Sequence, residues 1–332
     1  MAEDGRNSGR ELVLAELRAA DKFVVISHEH PDGDALGSLV AMQEILTALG
    51  KDSLMFVDPC DFPLPDEYTF LQLRGLIDAP PADVDERTMI FLDCGNLERT
   101  PAPEFQREGA LIINIDHHHD NTHFGTVNWV VPQASCTAEL VWDLMHGLGV
   151  EPTPTVAEAL YVGLITDTGR FMYENTSPRA HRMAAELIES GVDVNRIYHR
   201  VYEDVPYPKL ALLARGLANV ERYDDGRLTV TRLRASDFDA AGAEESYSEG
   251  VIDHLRALRG TAVAALVRDR LANGDGRAPR KVSLRATDER VDVSAIARAQ
   301  GGGGHRQAAG FETAMSHEDL VVFLRQEIAA QL

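Results

Sequence analysis

The chain has few cysteines and no long apolar run. Its three cysteines, Cys60, Cys94 and Cys136, have no CxxC spacing. They are too few for a disulfide framework, which is typical of proteins from reducing compartments. No run approaches the roughly 20 apolar residues that span a membrane, and the N-terminal segment MAEDGRNSGRELVLAEL lacks a basic stretch followed by an apolar one. The sequence therefore predicts a cytoplasmic protein with no membrane partner.

Basic residues are also fewer than acidic ones. Lys and Arg number 32 against 53 Asp and Glu, which gives a formal net charge of −21 at pH 7. Because affinity for long duplex nucleic acid comes mainly from basic side chains on phosphates, this balance argues against such a partner. It does not exclude a small phosphate ligand, since bound divalent cations can hold phosphate in acidic surroundings.

Short apolar runs alternate with helical patterns through the first half of the chain. Continuously apolar runs are typical of strands buried on both faces of a parallel sheet. The runs are FVVIS (23–27), LMFV (54–57), TMIFLD (88–93) and LIINID (111–116). Between the first two, apolar residues from Leu36 to Leu49 recur at helical spacing and end at Gly50. This βαβ pattern predicts an α/β fold with a doubly wound, mainly parallel sheet.

The second half begins with an almost entirely helical pattern, from about 178 to 221. Strand patterns then resume at RLTVTRL, AVAALVRD and KVSLRAT, followed by the glycine run GGGGH and a last helix. At 332 residues the length suggests about two domains. We therefore predict a first α/β domain over 1–185, a helical linker over 186–222, and a smaller α/β domain with a mixed sheet over 223–332.

Acidic and histidine residues cluster where the strands and one helix are predicted to end. These residues are His28, Asp32, Asp34, Asp93, Asp116, His117, His118, His119 and Asp167. Ligands bind at the carboxyl ends of strands in open α/β sheets. Carboxylates massed this closely would repel one another unless cations were present. Asp oxygen and His nitrogen without thiolate suit Mn²⁺, with Mg²⁺, Co²⁺, Fe²⁺ or Zn²⁺ as substitutes.

The segments that carry these residues resemble a known family. Four of them are similar to the successive motifs of the DHH phosphoesterases: HEHPDGDALGS (28–38), FLDCGN (91–96), IDHHH (115–119) and GLITDTGRF (163–171). A fifth, GGGGHRQAAGF (301–311), resembles the signature of the DHH-associated domain in the oligoribonuclease and pAp-phosphatase branch. The resemblance covers nearly the whole chain, because the motifs fall in both predicted domains.

The resemblance implies two Mn²⁺ ions per chain that share one carboxylate, Asp93. The implied ligands of the first ion are His28, Asp32 and Asp93. Those implied for the second ion are Asp34, Asp93, His117 and Asp167. Polar side chains would then be concentrated after the first strand because one turn supplies ligands to both ions. Gly33 and Gly37 would allow the backbone and the following helix to come close to the site.

The resemblance also implies catalytic and substrate-binding roles. His118 would lie beside the scissile phosphate, and Asp116 would orient the two adjacent histidines. In the second domain Arg285 would hold a phosphate. The residues implied to line the nucleotide cleft there are Gly303, Gly304 and His305. Arg99 is a further candidate for a phosphate contact, and an ordinary surface arginine is the alternative.

Together these implications predict a hydrolase acting on ester bonds, a metal-dependent phosphodiesterase and phosphatase. It would release 5′-mononucleotides from short RNA as a 3′–5′ exonuclease and convert pAp to AMP. Whether linear pApA or c-di-AMP is also cleaved, and whether the chain forms a homodimer, stays open.

Three alternatives share part of the pattern. A single-strand DNA exonuclease of the RecJ type carries the same motifs but usually has a further nucleic-acid-binding domain. Inorganic pyrophosphatases and exopolyphosphatases share the first domain but end in a different second domain without GGGGH. A non-catalytic nucleotide sensor would be expected to have lost at least one of the metal ligands, and this sequence retains all of them.

Overall fold

The computed structural model describes residues 2–97, 103–107, 109–271 and 279–332. The chain divides into two compact units, Met1–Asp204 and Val205–Leu332. The division falls within the segment 186–222, for which the sequence predicts a helical linker. Among the described residues, none of the helices could serve as a membrane-spanning segment.

The first unit contains six strands and six α-helices among its described residues. The strands are β1 (Lys22–Ile26), β2 (Asp52–Phe56), β3 (Leu76–Ile77), β4 (Thr88–Leu92), β5 (Ile112–Asp116) and β6 (Val127–Val130). The helices are α1 (Ala2–Ala19), α2 (Gly33–Ala48), α3 (Thr137–Gly147), α4 (Pro154–Asp167), α5 (Pro178–Glu189) and α6 (Val194–Tyr198).

The six strands form one parallel sheet in the order β3-β2-β1-β4-β5-β6. Alternate residues of β1 enter different clusters, because Phe23 and Val25 pack with the helices while Val24 and Ile26 pack with Phe105 on the opposite face. Both faces are therefore buried, as the continuously apolar runs predicted. The prediction of a doubly wound parallel sheet is confirmed.

Glycines bring α2, α3 and α4 into close contact with one another on one face of the sheet. A Cβ atom on Gly37 would lie 2.3 Å from the carbonyl oxygen of Ala159 in α4. One on Gly163 would lie 2.7 Å from Cβ of Ala138 in α3 and 2.8 Å from Oδ1 of Asp34 in α2. Real Cβ atoms do not approach so closely, so the three helices pack at this distance because these positions have no side chain.

The second unit contains six strands and five α-helices among its described residues. The strands are β7 (Glu221–Tyr223), β8 (Leu228–Leu233), β9 (Val263–Asp269), β10 (Arg280–Ala286), β11 (Gly303–His305) and β12 (Ala308–Thr313). The helices are α7 (Tyr207–Ala218), α8 (Ala235–Ala241), α9 (Val251–Arg256), α10 (Val293–Arg298) and α11 (His317–Ala329).

These strands form a second sheet in the order β11-β12-β10-β9-β8-β7. Only the β8–β9 pair is parallel and the other pairs are antiparallel, so the predicted mixed sheet is confirmed. Val282 and Leu284 of β10 point into the core that α10 and α11 cover, whereas Ser283 and Arg285 alternate with them and face the other side. The glycine run, which carries no strand pattern, supplies β11.

Candidate metal centre

Three neighbouring strands bring the predicted ligands to one edge of the first sheet. The chain proceeds from β1 outward to β2 and β3 on one side, and β4, β5 and β6 lie on the other side. Such a reversal of strand order opens a crevice at the carboxyl ends of the strands, where α/β proteins bind ligands. His28 follows β1, Asp93 follows β4, and Asp116 ends β5 immediately before His117. They therefore lie on both sides of the crevice.

Donor atoms of these residues gather in three overlapping groups. Within each group the nitrogen and oxygen atoms lie within 4.8 Å of one another. The groups are His28, Asp32 and Asp93; Asp34, His117 and Asp167; and Asp93, His117 and His118. Asp93 and His117 each belong to two groups, so the three form one connected site. All six residues proposed from the sequence as metal ligands are brought together there.

Asp93 lies at the centre of the site. Its Oδ2 is 3.5 Å from Nε2 of His28, and its Oδ1 is 3.5 Å from Nε2 of His117 and 3.7 Å from Nδ1 of His118. The side chain is buried, and although burial opposes ionisation, the hydrogen bond from His28 and the charges of His117 and His118 lower the pKa of Asp93. Its φ of +58° is in the left-handed region, which aspartate tolerates better than most residues.

The turn after β1 fixes two aspartates in different ways. Asp32 is the N-cap of α2, and its Oδ1 accepts hydrogen bonds from the backbone N–H groups of Asp34 and Ala35 at 3.0 and 3.1 Å. Asp34 is buried and reaches α3, where its Oδ2 accepts from the N–H of Thr137 at 2.7 Å and its Oδ1 from that of Ala138 at 2.9 Å. A single turn thus orients two carboxylates toward the site.

Asp116 orients the two histidines that follow it. Its Oδ1 accepts from the backbone N–H of His117 at 2.8 Å and lies 2.7 Å from Nδ1 of His118. Its Oδ2 accepts from Nδ2 of Asn121 at 2.5 Å. Asp116 is fully buried, and despite that burial these hydrogen bonds lower its pKa. Asp116 therefore lies behind the histidines, as the resemblance implies, and belongs to none of the three donor groups.

The carboxylates of the site repel one another. Burial outweighs the attraction of His117 and raises the pKa of Asp167 to about 7. Although burial acts against it, the charges of Asp167 and Asp93 raise the pKa of His117 to about 9. Burial and the nearby Asp93 also raise the pKa of Asp34 well above its usual value. Divalent cations would relieve this repulsion, and the O/N donor set fits Mn²⁺, so these residues fit a metal centre.

Two contacts to the site were not anticipated from the sequence. Thr137 is fully buried, and its Oγ1 donates to Oδ1 of Asp93 at 3.0 Å. Asn175 donates from Nδ2 to Oδ2 of Asp167 at 3.2 Å. The polar cluster SCTAE before an apolar helical run indicates the start of a helix. Nothing in that pattern shows which of its residues faces Asp93.

The predicted substrate residues of the second unit lie on neighbouring strands of its sheet. Arg285 of β10 pairs with Ala308 of β12, which pairs with His305 of β11, so the three backbones form one row across the sheet. Gly303 pairs with Gly310 in the neighbouring row of the same face. Gly304 has a φ of +131° and lies between them. The side chain of His305, like the whole of Arg99, lies outside the described residues.

A parallel sheet that gathers aspartate and histidine at its switch point is suited to metal-assisted hydrolysis of phosphate esters. This chain is a hydrolase that acts on such esters. The model of the DHH family N-terminal domain matches residues 22–164, and that of the DHHA1 domain matches residues 225–330. The chain belongs to the DHH family of phosphoesterases.

Curated relatives of the chain are similar over almost its whole length. A protein of Thermus thermophilus named bifunctional oligoribonuclease and PAP phosphatase NrnA is 33% identical over 327 residues, which cover 96% of this chain and 94% of the relative. A protein of Bacillus subtilis with the same name is 25% identical over 306 residues, which cover 90% of this chain and 91% of the relative.

Solved structures share the fold. An exopolyphosphatase-related protein from Bacteroides fragilis superposes with a TM-score of 0.88 at 24% identity, covering 98% of this chain and 96% of that one. RecJ from Thermus thermophilus in complex with Mn²⁺ gives a TM-score of 0.55 at 16% identity, covering 98% of this chain but 54% of RecJ. This chain therefore shares its fold with solved proteins that carry different names.

Proposed function

We propose that this chain is a Mn²⁺-dependent phosphoesterase that releases 5′-mononucleotides from short oligoribonucleotides and converts pAp to AMP. The observation that carries the proposal is the connected donor set around Asp93, on a chain that is 33% identical over 96% of its length to a protein named for those two activities. Linear pApA and c-di-AMP are included as candidate substrates because they present the same phosphodiester and nucleotide groups.

In the proposed mechanism Asp93 would hold both of two metal ions. The residues assigned to the first ion are His28, Asp32 and Asp93. Those assigned to the second are Asp34, Asp93, His117 and Asp167. When bound, such a pair of ions supplies an activated water near neutral pH and positive charge for the phosphoryl oxygens. Mg²⁺, Co²⁺, Fe²⁺ and Zn²⁺ are candidate substitutes, since the donor set contains no thiolate.

We assign His118 to the scissile phosphate rather than to a metal. Its Nδ1 lies 2.7 Å from the buried Oδ1 of Asp116, which fixes the orientation of the ring. A histidine held in this way keeps its imidazole in one position relative to the ligands Asp93 and His117. Its proposed role is to contact the phosphoryl oxygens, where positive charge or a hydrogen bond stabilises the transition state.

The second unit is proposed to bind the nucleotide. The face that carries Arg285 also carries Ser283, Ala308, Gly303 and Gly310, whose small side chains leave space above the strands. Arg285 would hold a phosphate through its planar guanidinium, while Gly303, Gly304 and His305 would contact the nucleotide. A net charge of −21 argues against a long basic track of the kind that extended strands require.

A substrate panel tests this proposal. With Mn²⁺ present, we expect pAp to give AMP, RNA of two to five nucleotides to give 5′-mononucleotides, and strands of about 25 nucleotides to be cleaved at least about tenfold more slowly. Product chromatography on pAp, pApA, c-di-AMP and labelled RNA and DNA measures each rate. Equal or faster cleavage of the long single-stranded DNA would favour the RecJ alternative, and tight binding without turnover would favour a nucleotide sensor.

A further inference from the structure

The segment Ser135–Ala138, which opens α3, contacts candidate ligands on two other elements although it contains no Asp or His. Thr137 Oγ1 donates to Oδ1 of Asp93 at 3.0 Å. The backbone N–H groups of Thr137 and Ala138 donate to the two oxygens of Asp34 at 2.7 and 2.9 Å. The start of a helix favours negative charge, so these N–H groups stabilise the buried Asp34 carboxylate where it lies.

Asn175 connects the same segment to a third carboxylate, that of Asp167. Its Nδ2 donates to the carbonyl oxygen of Ser135 at 2.7 Å and also lies 3.1 Å from the carbonyl oxygen and 3.2 Å from Oδ2 of Asp167. In return Oγ of Ser135 donates to the carbonyl oxygen of Asn175 at 2.8 Å. Asn175 therefore links Asp167, at the end of α4, to Ser135, two residues before α3.

The segment is itself anchored from within the protein. Glu139 is 1% exposed, and its Oε2 accepts from the backbone N–H of Ser135 at 2.9 Å. Its Oε1 lies 2.9 Å from Nε of Arg179 in α5. Because both carboxylate oxygens are engaged, the turn at Ser135 is held between α3 and α5. A segment fixed in this way can hold Asp34, Asp93 and Asp167 at constant separations.

We infer that Thr137 and Asn175 are positioning residues that hold Asp93 and Asp167 in the geometry that binds metal. This inference rests on the proposed metal centre and adds two residues that are not ligands. Thr137 fixes one oxygen of the shared carboxylate, which leaves Asp93 less freedom to turn away from His28 and His117. Asn175 does the same for Asp167. Partners behind the ligands typically change metal affinity by about ten- to a hundredfold when they are removed.

Mn²⁺ affinity tests the inference independently of turnover. We expect Thr137→Val, which keeps the shape but loses the hydroxyl, to bind Mn²⁺ about ten- to a hundredfold more weakly by calorimetry and electron paramagnetic resonance. Thr137→Ser restores the hydroxyl and should bind within about threefold of wild type. Asn175→Ala should also weaken binding about ten- to a hundredfold. Thr231→Val is the matched control, because the buried hydroxyl of Thr231 donates to the carbonyl oxygen of Gly216 in the second unit, whereas the proposed ligands all lie in the first unit.

Activity at high metal concentration separates positioning from ligation. Since all ligands are intact in Thr137→Val and Asn175→Ala, raising Mn²⁺ should restore most of kcat to both variants. Circular dichroism of the metal-free proteins identifies any variant that fails to fold, and the inference is then decided on the remaining one.

Two results would overturn the inference. One is a Thr137→Val or Asn175→Ala protein that is folded and binds Mn²⁺ as tightly as wild type. The other is a Thr137→Ser protein that binds as weakly as Thr137→Val. If wild type binds Mn²⁺ and hydrolyses the substrates in either case, the proposed function stands and only the positioning roles are wrong. A wild type that binds no Mn²⁺ would overturn both.

Discussion

Replacing Asp93 with asparagine is expected to lower kcat for pAp by at least about a thousandfold while the chain stays folded. Both oxygens of Asp93 face imidazoles, with His28 on one and His117 on the other, so the change affects the ligand set of both proposed ions. Asparagine tolerates the left-handed backbone at this position, where φ is +58°, and can still accept the hydrogen bond from Thr137. Steady-state kinetics with Mn²⁺ at saturating pAp measures the loss.

The matched control for this change is Asp78→Asn. Asp78 is an exposed aspartate between the strands β3 and β4 of the same unit, and its replacement removes one negative charge as well. Activity of this variant should stay within about threefold of wild type, since surface substitutions away from a site have small effects. A folded Asp93→Asn protein with activity close to that of the control would show that Asp93 does not bridge the ions.

Replacing Arg285 with alanine should reduce kcat/KM for pAp and dinucleotides by about ten- to a hundredfold, the equivalent of a charge-assisted hydrogen bond worth about 1.5–3 kcal/mol. Hydrolysis of bis-p-nitrophenyl phosphate should change much less, because this ester has no nucleotide for the second unit to bind. Mn²⁺ content should match that of wild type, since the proposed ligands all lie in the first unit. Parallel assays on the two substrates measure the difference.

Arg290→Ala controls for the loss of a guanidinium from the second unit. Arg290 lies in the loop after β10, where it binds Asp288 at 2.6 Å and is largely exposed. His305→Ala, at the position whose backbone is in the same row as Arg285, should resemble Arg285→Ala rather than this control. If Arg285→Ala lowered the hydrolysis of pAp and of bis-p-nitrophenyl phosphate equally, this residue would have a structural role and no role in nucleotide recognition.

The sheet could be predicted from the sequence where its strands are fully buried. β1, β4 and β5 are mostly apolar because neighbours cover both faces, and such short runs between helical patterns are typical of a parallel sheet. β3 has two residues and β6 is partly exposed, so neither produces an apolar run. The strand β11 has a different cause, because two of its three residues are glycine and it forms only by pairing with β12.

The candidate site likewise contains residues that the sequence indicated and residues that it did not. Asp93 and His117 could be proposed because each directly follows an apolar run and because their residue types are common metal ligands. Thr137 could not, since threonine is common at helix starts and its contact with Asp93 depends on how α3 packs against the sheet. Asn175 reaches Asp167 and Ser135 through a turn that has no periodic pattern. Positioning residues therefore became visible only with the tertiary structure.

The central claim is that two ions share the carboxylate of Asp93. Counting the Mn²⁺ ions bound per chain tests it most directly. Metal-free wild type titrated with Mn²⁺ should bind two ions per chain, and the thermal unfolding temperature should rise as they bind, because a ligand of the native state stabilises it. Asp93→Asn should lose this stoichiometry. Binding of two ions by wild type and Asp93→Asn alike, or full activity with fewer than two ions bound, would contradict the account.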